Sequence, residues 1–134
     1  MAAGYEAQIE VREDTQARQR GAALALFANL TGGWRLGADG AGAPGRPAEV
    51  IGRRVASSLL KDLESRASLD QFAADQIIPF AALASGESRF RIPQVTEHIQ
   101  SNAWLINEFL GAPVEIDGQV MSVRGVGFRP GASR

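Results

Sequence analysis

The 134-residue sequence contains no cysteine and a single histidine, His98. Without thiols the chain can form neither a disulfide framework nor a thiolate metal site, and one imidazole is fewer than most zinc sites use. The sequence also lacks an N-terminal basic segment followed by an apolar one, and no apolar run approaches the roughly 20 residues that span a bilayer. We therefore expect a protein of the reducing cytoplasm that is neither secreted through a signal peptide nor embedded in a membrane.

An excess of positive charge is also absent. The chain has 14 Lys and Arg residues against 15 Asp and Glu residues, so its formal net charge is −1. This balance argues against a broadly basic surface that wraps duplex nucleic acid, but it leaves room for a local phosphate site. With 45% hydrophobic residues, the length fits one compact unit or two small ones.

The first half of the sequence predicts strands followed by a helix. Apolar alternation indicates neighbouring strands at 4–13 and 21–30 and a short third strand at 34–36. Residues 37–47 are rich in glycine and proline and predict a loop, but no Lys-Ser/Thr pair follows these glycines, so we do not assign a phosphate-binding motif. A helix is expected to begin at Pro47, because apolar residues then recur every four positions at Ile51, Val55, Leu59 and Leu63.

A second helix is predicted over 68–85, where Ser68 and Gln71 have the spacing of a capping box. Pro79 lies inside this helix and has no N–H to donate to the carbonyl of Asp75, four positions earlier. We therefore expect a kink at this point and a free carbonyl that can accept a hydrogen bond from another partner.

The remaining sequence predicts a strand at 87–92 and a helix over 97–110 with Thr96 as its N-cap. Gly111 has the position of a C-terminal cap. A β-hairpin should follow at 113–126, because its Asp-Gly pair favours a tight type I′ turn.

His98 is the residue with the clearest chemical potential. It falls in the first turn of the helix over 97–110, where unpaired N–H groups and the helix dipole favour anions and disfavour a protonated imidazole. A neutral imidazole in that position can attack a phosphorus centre, and Asn102, one turn later, could orient the ring or a ligand. The alternative is an exposed histidine with no chemical role.

A second group of candidate residues lies on the helix over 68–85. Phe72, Asp75, Gln76 and Pro79 share one helix face by their spacing. A carboxylate and an amide beside a kink indicate a possible site, but the same pattern is produced by a solvent-facing polar stripe.

The run SLDQFAADQIIPFAALASGESRFRIPQVTEHIQSNAWLINEFLG, residues 68–111, resembles the C-terminal signature of the RNA 3′-terminal phosphate cyclase family. That signature carries an apolar helix with Ala-Asp-Gln, a strand, and then His-x-x-Thr/Ser-Asn opening another helix. The upstream segments GYEAQIEV, GAALALFANL and LGADGAGAPGRPAE are similar in order and spacing to the second half of the small domain that is inserted in this family. The resemblance extends to about Ile116.

The resemblance implies a function. Members of the family adenylylate the histidine that corresponds to His98 with ATP, assisted by Mg²⁺ or Mn²⁺. They pass AMP to an RNA 3′-phosphate, and the vicinal 2′-hydroxyl then displaces AMP to leave a 2′,3′-cyclic phosphate. Asp75 and Gln76 match an Asp-Gln pair close to the nucleotide, and Asn102 matches the asparagine of the motif. Phe72 stands where other members often have Tyr or His, which would remove a polar contact to the nucleotide.

The resemblance also implies a fold, an α/β (α+β) architecture of β-α-β-α-β-β repeats with a small α/β domain inserted in the last repeat. Residues 1–67 would be part of the insert, and 68–134 the closing part of the catalytic domain. Full members are much longer, so we expect this chain to be inactive alone and to form a homo-oligomer or to associate with an N-terminal portion. The alternative is a non-catalytic, RNA-binding or assembly scaffold with the cyclase fold, but such relatives lack the histidine.

Overall fold

The computed structural model describes residues 4–129 and shows an α/β fold of helices and antiparallel sheets. Within these residues no helix is long and apolar enough to cross a membrane. In chain order the elements are β1 (Ala23–Asn29), β2 (Arg35–Ala41), α1 (Ala48–Glu64), α2 (Ala73–Leu83), β3 (Ser85–Arg91), α3 (Glu97–Leu110), β4 (Val114–Asp117) and β5 (Val120–Val126).

The first half of the molecule is a β-hairpin covered by α1. Strands β1 and β2 are antiparallel, with Ala23 paired to Ala41. Ile51 and Val55 of α1 form a buried core with Ala38 of β2, and three half-buried leucines pack around it. The apolar stripe with a four-residue period therefore covers the hairpin, as the sequence predicts.

The predicted strand at 4–13 is wrong. These residues have no strand pairing, and the side chains of Ile9 and Val11 are 89% and 88% exposed. Apolar alternation stabilises a strand only where a partner supplies a hydrogen-bonding edge and a core covers one face. Within residues 4–129 this segment has neither.

The boundary between the third predicted strand and the loop after it is also wrong. Strand β2 continues to Ala41, so its last five residues lie within the predicted loop at 37–47. The small residues of this strand are typical of a loop when only the local sequence is considered. In the structure Gly40 faces α1, and a Cβ atom there would lie 2.8 Å from Val55 Cγ2. The small residues thus allow the helix to approach the hairpin closely.

The second half is a three-stranded antiparallel sheet, in the order β3-β5-β4, with α2 and α3 packed against it. The core contains side chains from both helices and from the central strand, and its largest buried members are Ile78, Ile92, Ile99, Met121 and Val123. From α2 onward the elements follow the order α-β-α-β-β. The division of the chain into insert and catalytic domains stays a prediction.

The start of α2 differs from the prediction, because the helix begins at Ala73 and not at Ser68. One carboxylate oxygen of Asp70 accepts hydrogen bonds from the N–H groups of Phe72 and Ala73, at 3.0 and 2.8 Å. Ser68 instead pairs with Arg91 at the end of β3, donating its N–H to the Arg91 carbonyl and accepting the Arg91 N–H at Oγ. The predicted capping residue Ser68 therefore binds Arg91, which is distant in sequence, and does not cap α2.

Helix α3 has the predicted boundaries. The Thr96 Oγ1 atom accepts the N–H of Ile99 at 3.2 Å, and Gly111 ends the helix with a φ of 63°. The turn of the following hairpin is displaced by one residue, because Asp117 pairs with Val120 and leaves Gly118 and Gln119 in the turn. Of these two only the glycine has a positive φ, which is the pattern of a type II′ turn and not of the predicted type I′ turn.

Strand β5 contains a glycine that helix α2 requires. A Cβ atom on Gly125 would lie 2.6 Å from the Ala81 carbonyl oxygen and even closer to that of Ala84. Both obstacles are backbone atoms, so a side chain at this position would force the end of α2 away from the sheet.

We therefore expect Gly125→Ala to lower the free energy of unfolding by about 1–3 kcal/mol, the usual cost of overpacking a close contact. Gly52→Ala is the matched control, because a Cβ atom there meets nothing within 4 Å. Since Gly52 lies inside α1, its replacement should raise stability by up to about 1 kcal/mol. Urea unfolding of both variants measures the difference, and a neutral Gly125→Ala variant would contradict the proposed close packing.

Candidate active site

The start of α3 determines the position of His98. Helix α3 begins at Glu97, so His98 is its second residue and lies in the first turn, with an exposed side chain. The Thr96 hydroxyl satisfies one of the first N–H groups of the helix. This turn presents the positive end of the helix dipole beside the imidazole, as the sequence predicts.

A hydrogen bond joins α3 to α2 at the proline inside α2. Pro79 cannot donate to the carbonyl of Asp75, and the side-chain amide of Asn102 donates to that carbonyl at 3.4 Å. The predicted free carbonyl thus has its partner on the neighbouring helix. Because Asn102 lies one turn after His98, this contact connects the histidine helix to the Asp-Gln segment.

The candidate site is an open surface on these two helices. His98 and Gln76 are exposed, Asp75 and Asn102 are half-buried, and the Phe72 side chain is 54% exposed. The structure brings Asp75 and Asn102 into contact. The roles of all five residues in nucleotide chemistry stay predictions.

Two carboxylates next to the site were not singled out by the sequence. Besides its bonds at the start of α2, Asp70 accepts the N–H of Gly37 in β2 at 3.1 Å. Asp62 of α1 is only 4% exposed and accepts the N–H of Gln71 at 3.1 Å. The Gln71 amide in turn donates to Ser58 Oγ at 2.7 Å. The two carboxylates therefore tie the beginning of α2 to the first half of the molecule.

The Asp62 carboxyl has a perturbed acidity. Burial raises the pKa of Asp62 above its ordinary value, and the nearby negative charge of Asp70 acts in the same direction. The hydrogen bond from the Gln71 N–H opposes both effects by stabilising the charged form. Burial away from water is the largest of these three effects on the Asp62 pKa.

Residues 4–129 contain no group of three His, Asp or Glu side chains arranged to hold a metal ion.

The chain matches the family model described as "RNA 3'-terminal phosphate cyclase" over residues 3–116. The elements from β1 to α3, with His98, lie within this match, which ends in β4. The chain belongs to the RNA 3′-terminal phosphate cyclase family.

Curated proteins show the same similarity. The chain is 38% identical to an RNA 3′-terminal phosphate cyclase of Methanopyrus kandleri over 131 residues, which are 95% of this chain and 37% of that protein. It is 38% identical to one of Thermococcus onnurineus over 117 residues, 87% of this chain and 34% of that protein. A third, of Pyrococcus abyssi, is 42% identical over 86 residues, 64% of this chain and 25% of that protein. The chain thus spans about a third of the length of the first two relatives.

The raised pKa of Asp62 predicts how stability depends on pH. The folded state holds the Asp62 proton more tightly than the unfolded chain, so the contribution of this group to stability declines as pH rises above 3.8 through the folded-state pKa. Asp62→Asn removes the buried charge and keeps an oxygen to accept the Gln71 N–H. It should be more stable than the parent at pH 7, and this advantage should shrink as the pH falls toward 4.

Urea unfolding at pH 4 and pH 7 checks this expectation. Asp39→Asn is the matched control, because Asp39 is exposed on β2 and its replacement should not produce the same pH-dependent difference. An Asp62→Asn protein that is less stable than the parent at pH 7, but equally stable at pH 4, would show that the charged carboxylate stabilises the fold.

Proposed function

We propose that the protein to which this chain belongs converts an RNA 3′-phosphate to a 2′,3′-cyclic phosphate with ATP, through a covalent intermediate on His98. The observation that carries this proposal is the exposed imidazole in the first turn of α3, within a chain of the cyclase family. The first turn supports a nucleophile because its backbone N–H groups can bind the anionic oxygens of a phosphate beside the imidazole.

The first step forms a phosphorus–nitrogen bond. A neutral ring nitrogen of His98 attacks the α-phosphorus of ATP, and the bond from that phosphorus to the bridging oxygen breaks, so that pyrophosphate leaves. Negative charge accumulates on the α-phosphate oxygens in the transition state. The N–H groups at the start of α3 stabilise that charge, because they point along the helix axis toward the reacting group.

Two transfers to RNA complete the reaction. An oxygen of the RNA 3′-phosphate attacks the AMP phosphorus, the phosphorus–nitrogen bond breaks, and His98 is regenerated. The 2′-hydroxyl then attacks the terminal RNA phosphorus, loses its proton, and displaces AMP. The product is a five-membered cyclic phosphate, and no group other than AMP leaves in this last step.

The other candidate residues position the nucleotide. Asp75 and Gln76 offer an acceptor and an amide in the turn before Pro79 of α2, and Asn102 holds α3 against the Asp75 carbonyl. The exposed ring of Phe72 offers an apolar surface on which a base can stack. Mg²⁺ or Mn²⁺ would arrive largely coordinated by the triphosphate oxygens, since Mg²⁺ commonly binds through substrate phosphates and few carboxylates.

A non-catalytic scaffold of the same fold is the competing function. It requires no nucleophile, and an exposed histidine at a helix N-terminus would then have no role. Labelling with ATP that carries the isotope in its α-phosphate distinguishes the two, because only the catalytic function predicts a covalent nucleotide.

We expect His98→Ala and His98→Asn to abolish covalent AMP transfer in the complete protein, because no other imidazole in this chain can form the phosphoramidate. The measurement is radiolabel retained on denatured protein. Thr96→Ala is an informative companion, since it removes the helix cap but leaves the histidine, and it should cost about 1 kcal/mol of stability with labelling retained. Labelled AMP on either His98 variant would eliminate this residue as the nucleophile.

Exposed apolar side chains on α2 and α3 indicate association with further protein. Phe80 and Phe109 are 70% and 80% exposed, Leu83, Trp104 and Leu105 are also exposed on these helices, and Phe72 is exposed just before α2. In the described residues β3 and β4 each pair only with β5, so no further strand covers either outer edge of the sheet. Apolar patches and open edges of this kind favour association with another chain.

The isolated chain should therefore form homo-oligomers and should show little cyclase activity. Light scattering at low micromolar concentration measures the first expectation, and turnover of 3′-phosphorylated RNA measures the second. Phe80→Ser with Phe109→Ser should reduce association, whereas Ile9→Ser, at an exposed apolar residue outside the helices, should not. A monomer with robust turnover would contradict both expectations.

A further inference from the structure

A polar pocket of about 400 Å³ lies beside the candidate active site. Its walls come from α1, from the segment between α1 and α2, and from the residues that follow β3. Helix α1 contributes two cations and two hydroxyls to the lining: Arg54, Lys61, Ser57 and Ser58. None of the functional residues assigned above lines this pocket.

The cations of the pocket are available for a ligand. Arg54 and Lys61 are exposed, and within residues 4–129 neither has a carboxylate within 4.0 Å. The Asp62 carboxylate also lines the pocket, but one of its oxygens is occupied by the Gln71 N–H. The charged side chains that line the pocket are Arg54, Lys61 and Asp62, so their sum is a net positive charge.

The pocket adjoins both halves of the candidate site along the chain. Gln71, which lines it, directly precedes Phe72. Gln94, which also lines it, precedes His98 by four residues, so their Cα atoms are at most about 14 Å apart even in an extended chain. A strand of nucleic acid whose end reacts at His98 therefore comes within reach of this pocket.

We propose that the pocket binds an internal phosphodiester of the RNA strand whose 3′ end reacts at His98. The inference rests on the proposed function. The planar guanidinium of Arg54 can donate two hydrogen bonds to one phosphate, Lys61 adds a compact positive charge, and the serine hydroxyls donate to the remaining oxygens. The triphosphate of ATP has the same chemistry, but its reacting phosphorus must lie at His98, whereas RNA carries phosphates that extend away from the reacting end.

Fluorescence anisotropy of a 5′-labelled RNA decamer, measured without ATP, tests the proposal. Arg54→Gln with Lys61→Gln should weaken binding by at least 10-fold at 100 mM salt. The slope of log Kd against log salt concentration should become shallower by about 0.7, the value for loss of one phosphate contact to a single strand. The two single variants should each produce part of the loss, and circular dichroism should show an unchanged fold.

A matched control separates the pocket from the loss of positive charge alone. Arg46→Gln with Arg53→Gln removes the same number of charges from two exposed residues that do not line the pocket, one before α1 and one in its second turn. This double variant should weaken binding less than 2-fold. Equal losses in the two double variants would overturn the proposal. Undetectable binding of RNA by the parent chain would overturn it as well.

Two further ligands distinguish the sources of phosphate. A decamer that ends in a 3′-hydroxyl should bind through the pocket as well as the 3′-phosphorylated one, and a selective loss with the hydroxyl end would assign the pocket to the terminal phosphate instead. If the Arg54 and Lys61 variant loses affinity for ATP and not for RNA, the pocket belongs to the nucleotide. RNA binding through this pocket without AMP on His98 would refute the proposed function alone.

Discussion

The arrangement of the two halves depends on a set of charge-assisted hydrogen bonds at the segment between α1 and α2. Asp70 accepts N–H groups from β2 and from the start of α2, and Asp62 accepts the N–H of Gln71. Ser68 in the same segment pairs with the end of β3 through Arg91. Hydrogen bonds to a charged acceptor are about twice as strong as neutral ones, and Asp70 accepts three of them. At Asp62 the burial of the carboxylate outweighs the single hydrogen bond from Gln71, so this bond orients the segment more than it stabilises the fold. One short segment thereby fixes the position of α2 relative to the hairpin and to the sheet.

The candidate site and the proposed RNA pocket both depend on this segment. Gln71 is held by Asp62 on one side and by Ser58 on the other, and Phe72 follows it directly. A shift of this segment would therefore move the wall of the pocket together with the end of α2 that is proposed to bind the nucleotide. The high cost of burying a lone carboxylate explains why Asp62 has an N–H partner.

Local signals of the sequence were sufficient for part of the fold and of the site. The N-cap Thr96 and the C-cap Gly111 each act within one helical turn, and α3 begins and ends at the residues that these caps predict. The effect of Pro79 on the Asp75 carbonyl is equally local, although the sequence could not identify Asn102 as the donor. The strand at 4–13 failed because pairing depends on distant residues. The pocket escaped prediction because three segments that are separate in sequence form its walls.

Part of the exposed apolar surface lies on the same side of α3 as His98. Leu105 and Phe109 lie about two and three turns after His98 on α3, close to the same side of the helix, and both are exposed. A protein that covers these side chains would lie next to the imidazole and would exclude water from its surroundings. Exclusion of water strengthens the interaction of helix N–H groups with a reacting phosphate, because the local dielectric constant falls. Covering this apolar side of α3 would thus also lower the local dielectric constant around the residue proposed as the nucleophile.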